Sequence, residues 1–227
     1  MIVDVIIPAF NEENAVGLVV KDIPKKLVRN IVVVDNNSSD RTAEVARTEG
    51  AVVVREHHQG YGAACLKGIA TLMDFSPRPD VVVFLDADYS DHPEEMGSLL
   101  APIESGSAEL VIGSRALGKR EKGAMMPQQI FGNWLATRLM RVLYRAKFTD
   151  LGPFRAITST ALETIEMKDR DFGWTVEMQV KTLKKNIAVA EVPVSYRKRR
   201  GVSKITGTIQ GTAMAGYKII TTIFKYA

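Results

Sequence analysis

A chain of 227 residues, 46% apolar and 25% charged, has the makeup of a globule large enough for one good core. Its one cysteine, Cys65, excludes an internal disulfide and fits a reducing cytoplasm, where we expect this protein. The net charge of +4 hides a split: residues 1–113 hold 9 Lys+Arg against 18 Asp+Glu, and residues 114–227 hold 21 against 8, or −9 and +13. An acidic half suits a cation and a basic half suits anions. A nucleic-acid reader would also be basic, but the chain shows no aromatic-interleaved basic stripe and no motif of one, so no nucleic-acid partner is expected. Met1-Ile2-Val3-Asp4 lacks the basic and then apolar stretch of a secretion signal, and no run reaches the length of a membrane span.

Strand and helix patterns alternate through residues 1–114. Residues 3–7 form an apolar run stopped by Pro8. Asn11 is placed to cap a helix from Glu12, with acidic residues where the helix dipole favours them. Residues 31–34 read as a second strand. Ser38 or Ser39 is then expected to cap a helix over 40–49, with Gly50 as its C′ residue. Strands over 51–54, 81–85 and 110–113 alternate with helices over 60–75 and 93–104. Continuous apolar strands between helices argue for a parallel sheet covered on both faces, with ligands beyond the carboxyl ends of the strands.

The second half is less regular. Residues 114–127 form a Gly-, Lys- and Arg-rich loop. A helix over 128–147 sets Trp134, Leu135, Leu139, Val142 and Leu143 on its apolar side. Arg138, Arg141 and Arg145 share another face, which reads either as a solvated face or as a contact with an anionic membrane surface. A helix over 174–185, a strand over 188–196, a basic loop over 197–204 and a C-terminal helix over 205–226 complete the chain. We expect one domain over 1–227, with an acidic half suited to a cation and a basic half suited to anions.

Asp86-Ala87-Asp88 closes the run Val81-Val82-Val83-Phe84-Leu85. Two carboxylates one residue apart at a strand's mouth repel, and each raises the other's pKa. A divalent cation removes that cost, and hard oxygen ligands suit Mg2+ or Mn2+ bridging to phosphate. The alternative is a solvated acidic turn. Asp35 and Asn36 offer a carboxylate and an amide suited to a base edge, guanine or uracil, and to ribose hydroxyls. Gly60-Tyr61-Gly62 with Lys67 reads either as a phosphate-facing turn or as the start of a helix. It lacks both the Walker pattern and the full Rossmann fingerprint. Asp171 and Glu177 are weak candidates for a general base.

Seven segments in order carry a resemblance. Ile7-Pro8-Ala9-Phe10-Asn11-Glu12-Glu13 resembles the opening motif of glycosyltransferase family 2, and Val33-Val34-Asp35-Asn36-Asn37-Ser38-Ser39-Asp40 its second. Asn36 stands where a second Asp is frequent and Asn37 where Gly is usual. Phe84-Leu85-Asp86-Ala87-Asp88-Tyr89-Ser90-Asp91-His92-Pro93 is similar to the Asp-Ala-Asp segment of the dolichol-phosphate mannosyltransferase branch. Gly113-Ser114-Arg115, Asp150-Leu151-Gly152-Pro153-Phe154-Arg155, Glu191-Val192-Pro193-Val194 and Gly201-Val202-Ser203-Lys204 follow in the branch's order. The fifth segment departs from the more usual Thr-Ser-Gly-Phe-Arg.

The resemblance implies a GT-A fold, an inverting mechanism and a nucleoside-diphosphate sugar donor. It assigns Pro8, Ala9, Phe10, Glu12, Asp35 and Asn36 to the nucleotide sugar. Asp86 and Asp88 would hold the metal, with Ser90 near the ion and Ala87 lining the site. Arg115, Arg155, Lys67 and Lys204 would meet phosphate or acceptor. Lys198 stands where the branch often has Arg, and Arg197, Lys198, Arg199 and Arg200 compete for that role; Arg199 and Arg200 are carried as donor-binding candidates. It makes residues 1–114 the nucleotide and metal half and residues 115–227 the acceptor half, and the implied acceptor is a polyprenyl phosphate docked by the basic half. A soluble phosphorylated acceptor, a glycan hydroxyl, or a non-catalytic nucleotide-sugar-binding protein are the alternatives.

Overall fold

A computed structural model describes residues 1–201 and 209–226. Seven strands form one sheet in the order β3-β2-β1-β4-β6-β5-β7. They are β1 (Val3–Ala9), β2 (Asn30–Asp35), β3 (Val52–Arg55), β4 (Val81–Phe84), β5 (Leu110–Ser114), β6 (Arg155–Thr158) and β7 (Val189–Pro193). All pairings are parallel except those of β6, which runs against β4 and β5. The fold is therefore Rossmann-like and mostly parallel, with helices on both faces, as the strand and helix alternation implies.

Strand periodicity divides the core in two. Val3, Val5 and Ile7 of β1, Ile31 and Val33 of β2, and Val81 and Val83 of β4 enter one cluster, against α1 (Val16–Asp22) and α4 (Met96–Glu104). Ile6, Val32, Val34, Val82 and Phe84 enter the other. There they meet α3 (Tyr61–Met73), α5 (Pro127–Tyr144), α6 (Ser159–Ile165) and α7 (Trp174–Lys184). Successive side chains point to opposite faces, so an unbroken apolar run is what a sheet buried on both sides requires. Cys65 lies in the second cluster, fully buried.

Several expectations are corrected. Asn11 does not cap a helix: it is left-handed (φ 53°), its Oδ1 accepts from the Ser39 N–H, and α1 begins only at Val16. Ser38 Oγ in turn accepts from the Asn11 N–H, while Asp40 Oδ1 accepts from the Thr42 N–H where α2 (Thr42–Thr48) starts. The first two strand-end loops thus satisfy each other's backbone donors, which a reading of each loop alone does not reveal. Gly50 is left-handed (φ 89°), and its N–H donates to the Arg47 carbonyl, as expected of a C′ glycine.

Strand β6 and helix α6 were not anticipated. Arg155-Ala156-Ile157-Thr158 is short and starts on a charge, leaving no apolar run to read. Helix α5 also departs from expectation. Its buried strip is Ala136, Thr137 and Met140, while Trp134, Val142 and Leu143 are exposed. The C-terminal helix α8 spans Ile209–Lys225 and packs beside α5, where the Tyr144 hydroxyl donates to the Ile223 carbonyl. Among the described residues no helix is long and apolar enough to cross a membrane.

Candidate active site

The carboxyl ends of β1, β2 and β4 open into one crevice of about 320 Å³. The alternation that builds the core continues past the end of β4. Leu85 and Ala87 pack into the first cluster, which leaves Asp86 and Asp88 for the opposite side, where both line the crevice. Pro8, Ala9, Phe10 and Glu12 form the wall after β1, and Asn36 the wall after β2. The start of α3 contributes Gly60, Tyr61 and Ala64, and Phe172 and Arg199 close the far side.

Half-buried Asp86 and the buried Asp88 and Asp91 crowd together at the metal candidate. Burial, and then the charge of Asp88, push the Asp86 carboxyl up to about 7, tempered by the Tyr61 hydroxyl, Arg115 and Arg199. Burial, followed by the charges of Asp86 and Asp88, likewise raises Asp91 well above the usual carboxylate range. Among the described residues, Asp86 Oδ1 and Asp91 Oδ1 are buried without a hydrogen-bond partner. An orphaned buried carboxylate oxygen is costly unless a cation or proton satisfies it. Among the described residues no group of three or more His, Cys, Asp or Glu forms a ready-made cage. Two carboxylates at an open crevice instead fit a hard divalent ion shared with phosphate oxygens.

Among the described residues, Arg199 is the cation that pairs with Asp88 and Glu12. Its guanidinium lies 2.6 Å from Glu12 Oε1 and 3.3 Å from Asp88 Oδ2. The segment that carries it is strapped across the end of β4. The Arg197 N–H donates to the Ser90 carbonyl (2.9 Å) and the Arg200 N–H to the Asp88 carbonyl (2.8 Å). The Arg197 guanidinium stacks 3.5 Å from the Tyr89 ring centroid and donates to the carbonyls of Tyr89 and Asp91. Arg200 is exposed and off the crevice, and Lys198 is exposed as well.

Other site candidates take different places. Arg155 is fully buried, and its guanidinium donates to the carbonyls of Gly152, Leu151 and Thr175. Burial brings its pKa down to about 10. It ties β6 to the loop before it and to the start of α7, and it does not line the crevice. Arg115 makes a bidentate pair with the buried Asp150 (2.9 and 2.7 Å) and lies 5.1 Å from the Tyr196 ring centroid. Burial works against charge on both partners. Their contact wins, raising Arg115 and lowering Asp150.

Ser90 is fully buried, and its Oγ donates to Asp88 Oδ1 (2.5 Å), so it positions that carboxylate instead of facing an ion. Lys67 is exposed on α3 and does not line the crevice. The Gly60-Tyr61-Gly62 turn serves packing: a Cβ on Gly60 would lie 2.2 Å from the Arg170 carbonyl oxygen, and one on Gly62 2.1 Å from that of Asp169. Asp35 is buried beside the crevice with Oδ1 accepting from the Ser38 N–H. The Asn36 amide lines it, but donates to the carbonyls of Glu56 and His58 and accepts from the Gly60 N–H. Glu177 is no candidate base. It accepts from the N–H groups of Lys168 and Asp169 and from the Tyr226 hydroxyl, and pairs with Lys181. Lys204 lies outside the described residues.

Tyr61, Asp91 and Phe172 are residues that sequence reasoning missed. Only Asp91 left a signal, as a third carboxylate in the Asp86 segment.

The Glycosyl transferase family 2 profile matches residues 4–166. This chain belongs to that family. Its relatives include the undecaprenyl-phosphate mannosyltransferase of Micrococcus luteus, 29% identical over 223 residues, or 92% of this chain and 89% of the relative. The dolichyl-phosphate hexose transferase of Haloferax volcanii is 33% identical over 214 residues, or 92% of this chain and 89% of the relative. The glucosyl-3-phosphoglycerate synthase of Mycobacterium tuberculosis was crystallised with Mn2+, UDP-glucose and phosphoglyceric acid. It shares the fold at TM-score 0.79 and 22% identity, over 99% of this chain and 79% of that one. The protein is thus a glycosyltransferase of GT-A fold.

Proposed function

We propose that this glycosyltransferase is an inverting, metal-dependent hexosyltransferase. In this reading it moves a hexose from a nucleoside-diphosphate sugar, of GDP-mannose or UDP-glucose type, to a polyprenyl phosphate. The observation that carries the donor half is Asp86 and Asp88 side by side in the crevice, with a buried oxygen unsatisfied and Arg199 alongside. Asp86 and Asp88 would hold Mn2+ or Mg2+, which supplies a positive charge for the departing diphosphate. Arg199, now on Glu12 and Asp88, has the length and charge to turn to a phosphate oxygen. Pro8, Ala9 and Phe10 line the apolar side of the crevice, where a nucleoside would lie. Arg115 acts through Asp150, and Arg155 through the loop carbonyls, as positioning residues.

The acceptor half rests on the relatives named for polyprenyl-phosphate transfer and on the basic half of the chain. A phosphate acceptor is already ionised and nucleophilic at neutral pH, so it needs docking cations and no general base. Glu177, tied into its own hydrogen bonds, agrees with that economy. The test is nucleoside diphosphate release from UDP- and GDP-sugars with Mn2+. It is run with a short polyprenyl phosphate, with a soluble phosphorylated metabolite, and with neither. Release that needs the lipid phosphate and stops with EDTA is the expected result. Turnover with the soluble acceptor alone would overturn the lipid assignment, and full turnover in EDTA the metal assignment.

A further inference from the structure

Helix α5 carries no acidic residue, and its outward face is divided along its length. With about 3.6 residues per turn, Ile130, Phe131, Trp134, Arg138 and Arg141 fall within one arc centred on Trp134. Phe131 is 61% exposed and Trp134 54%, with their rings 5.8 Å apart. Arg138, Arg141 and the C-cap residue Arg145 are exposed as well. The face is thus aromatic and apolar at the start of the helix and basic at its end. On its other side α5 meets the core and α8, on which Met214, Tyr217 and Phe224 are exposed.

A helix face that meets only water explains the arginines and leaves the aromatics without a reason. An anionic bilayer accounts for both. Amphipathic rings favour the headgroup level, arginines pair with lipid phosphates, and the absence of Asp and Glu removes any repulsion. We propose that the outer face of α5 docks flat on an anionic bilayer, with Ile130, Phe131 and Trp134 at the headgroup boundary and Arg138, Arg141 and Arg145 on lipid phosphates. Ile130 and Trp134 also line a pocket of about 180 Å³ that reaches Asp150, the partner of Arg115. Docking in this pose sets the acceptor half against the lipid surface. Its use rests on the lipid-acceptor reading, but binding itself does not, so vesicles free of polyprenyl phosphate test it separately.

The experiment is flotation of the full chain with phosphatidylcholine vesicles, with and without phosphatidylglycerol. Binding is expected only to the anionic vesicles and should weaken as salt rises. Replacing Arg138, Arg141 and Arg145 together with Gln should weaken partition by about 100-fold, at roughly one tenth remaining per one or two charges lost. Phe131→Ser with Trp134→Ser should abolish it. The other tryptophan, Trp174, is buried, so a blue shift of emission on binding reports Trp134. Trp134→Phe should bind without that shift. No binding to anionic vesicles at low salt, or binding untouched by both sets of changes, would overturn the proposal. So would a dimer in sedimentation that Phe131→Ser with Trp134→Ser dissociates, because that result gives the face to a second copy of the chain.

Discussion

The two halves of this chain handle charge in opposite ways. Residues 1–113, with their excess of acid, place Asp86, Asp88 and Asp91 together and leave two of their oxygens unsatisfied among the described residues. Residues 114–227, with their excess of base, commit their best-buried cations to protein partners, Arg115 to Asp150 and Arg155 to carbonyls. The acidic half stores an unmet need for positive charge. The basic half meets its needs internally and lends the crevice Arg199 from a strap held down by backbone hydrogen bonds. A site built this way keeps its demand for a cation at the donor end.

The contrast breaks most sharply at Asp86. Asp86→Asn should lower donor turnover by about a thousandfold or more while circular dichroism stays unchanged, because the amide gives a metal no charge. Retained turnover would remove the carboxylate pair from the chemistry.

Arg115→Met tests whether the buried cations are structural. It strands Asp150 as an unpaired buried charge, and urea unfolding should show a loss of about 3–5 kcal/mol. A variant of unchanged stability that cannot turn over would instead put Arg115 on a ligand.

The unsatisfied acid should show in stability against pH. The folded pKa of Asp86, about 7, lies above its unfolded value, so folding favours the proton. Its contribution is full below about pH 4, the unfolded pKa, and is lost as pH rises through 7. Without divalent metal, Asp86→Asn should therefore be more stable than the parent above pH 7, on the order of 1–3 kcal/mol. The gap should close below about pH 4. A gap that does not vary with pH would contradict the shifted acid.

The smallest expected effects separate the lent cation from its neighbours. Arg199→Gln should raise the donor KM by about 10- to 100-fold, the weight of a charge-assisted hydrogen bond. Arg200→Gln and Lys67→Gln should stay within about twofold, since neither side chain lines the crevice. Equal losses in all three would reduce Arg199 to part of a diffuse field.

Much of the donor side was legible in the chain. The apolar runs over β1, β2 and β4 announce a sheet buried on both faces, and such sheets gather ligand loops at their carboxyl ends. The period of two puts Asp86 and Asp88 on one side of the chain before any contact is known. These are local rules, and local sequence suffices for them. Tertiary structure decided where the cations went. The insertion of β6 between β4 and β5 turned Arg155 inward, and no run of residues predicts a four-residue antiparallel strand. The strap across Asp88 and Ser90 chose Arg199 from the four consecutive basic residues 197–200, and the narrow seat of α5 left Phe131 and Trp134 outside. An arginine's role depends on which carbonyl or carboxylate lies within reach of its long side chain, and only the assembled fold sets that distance.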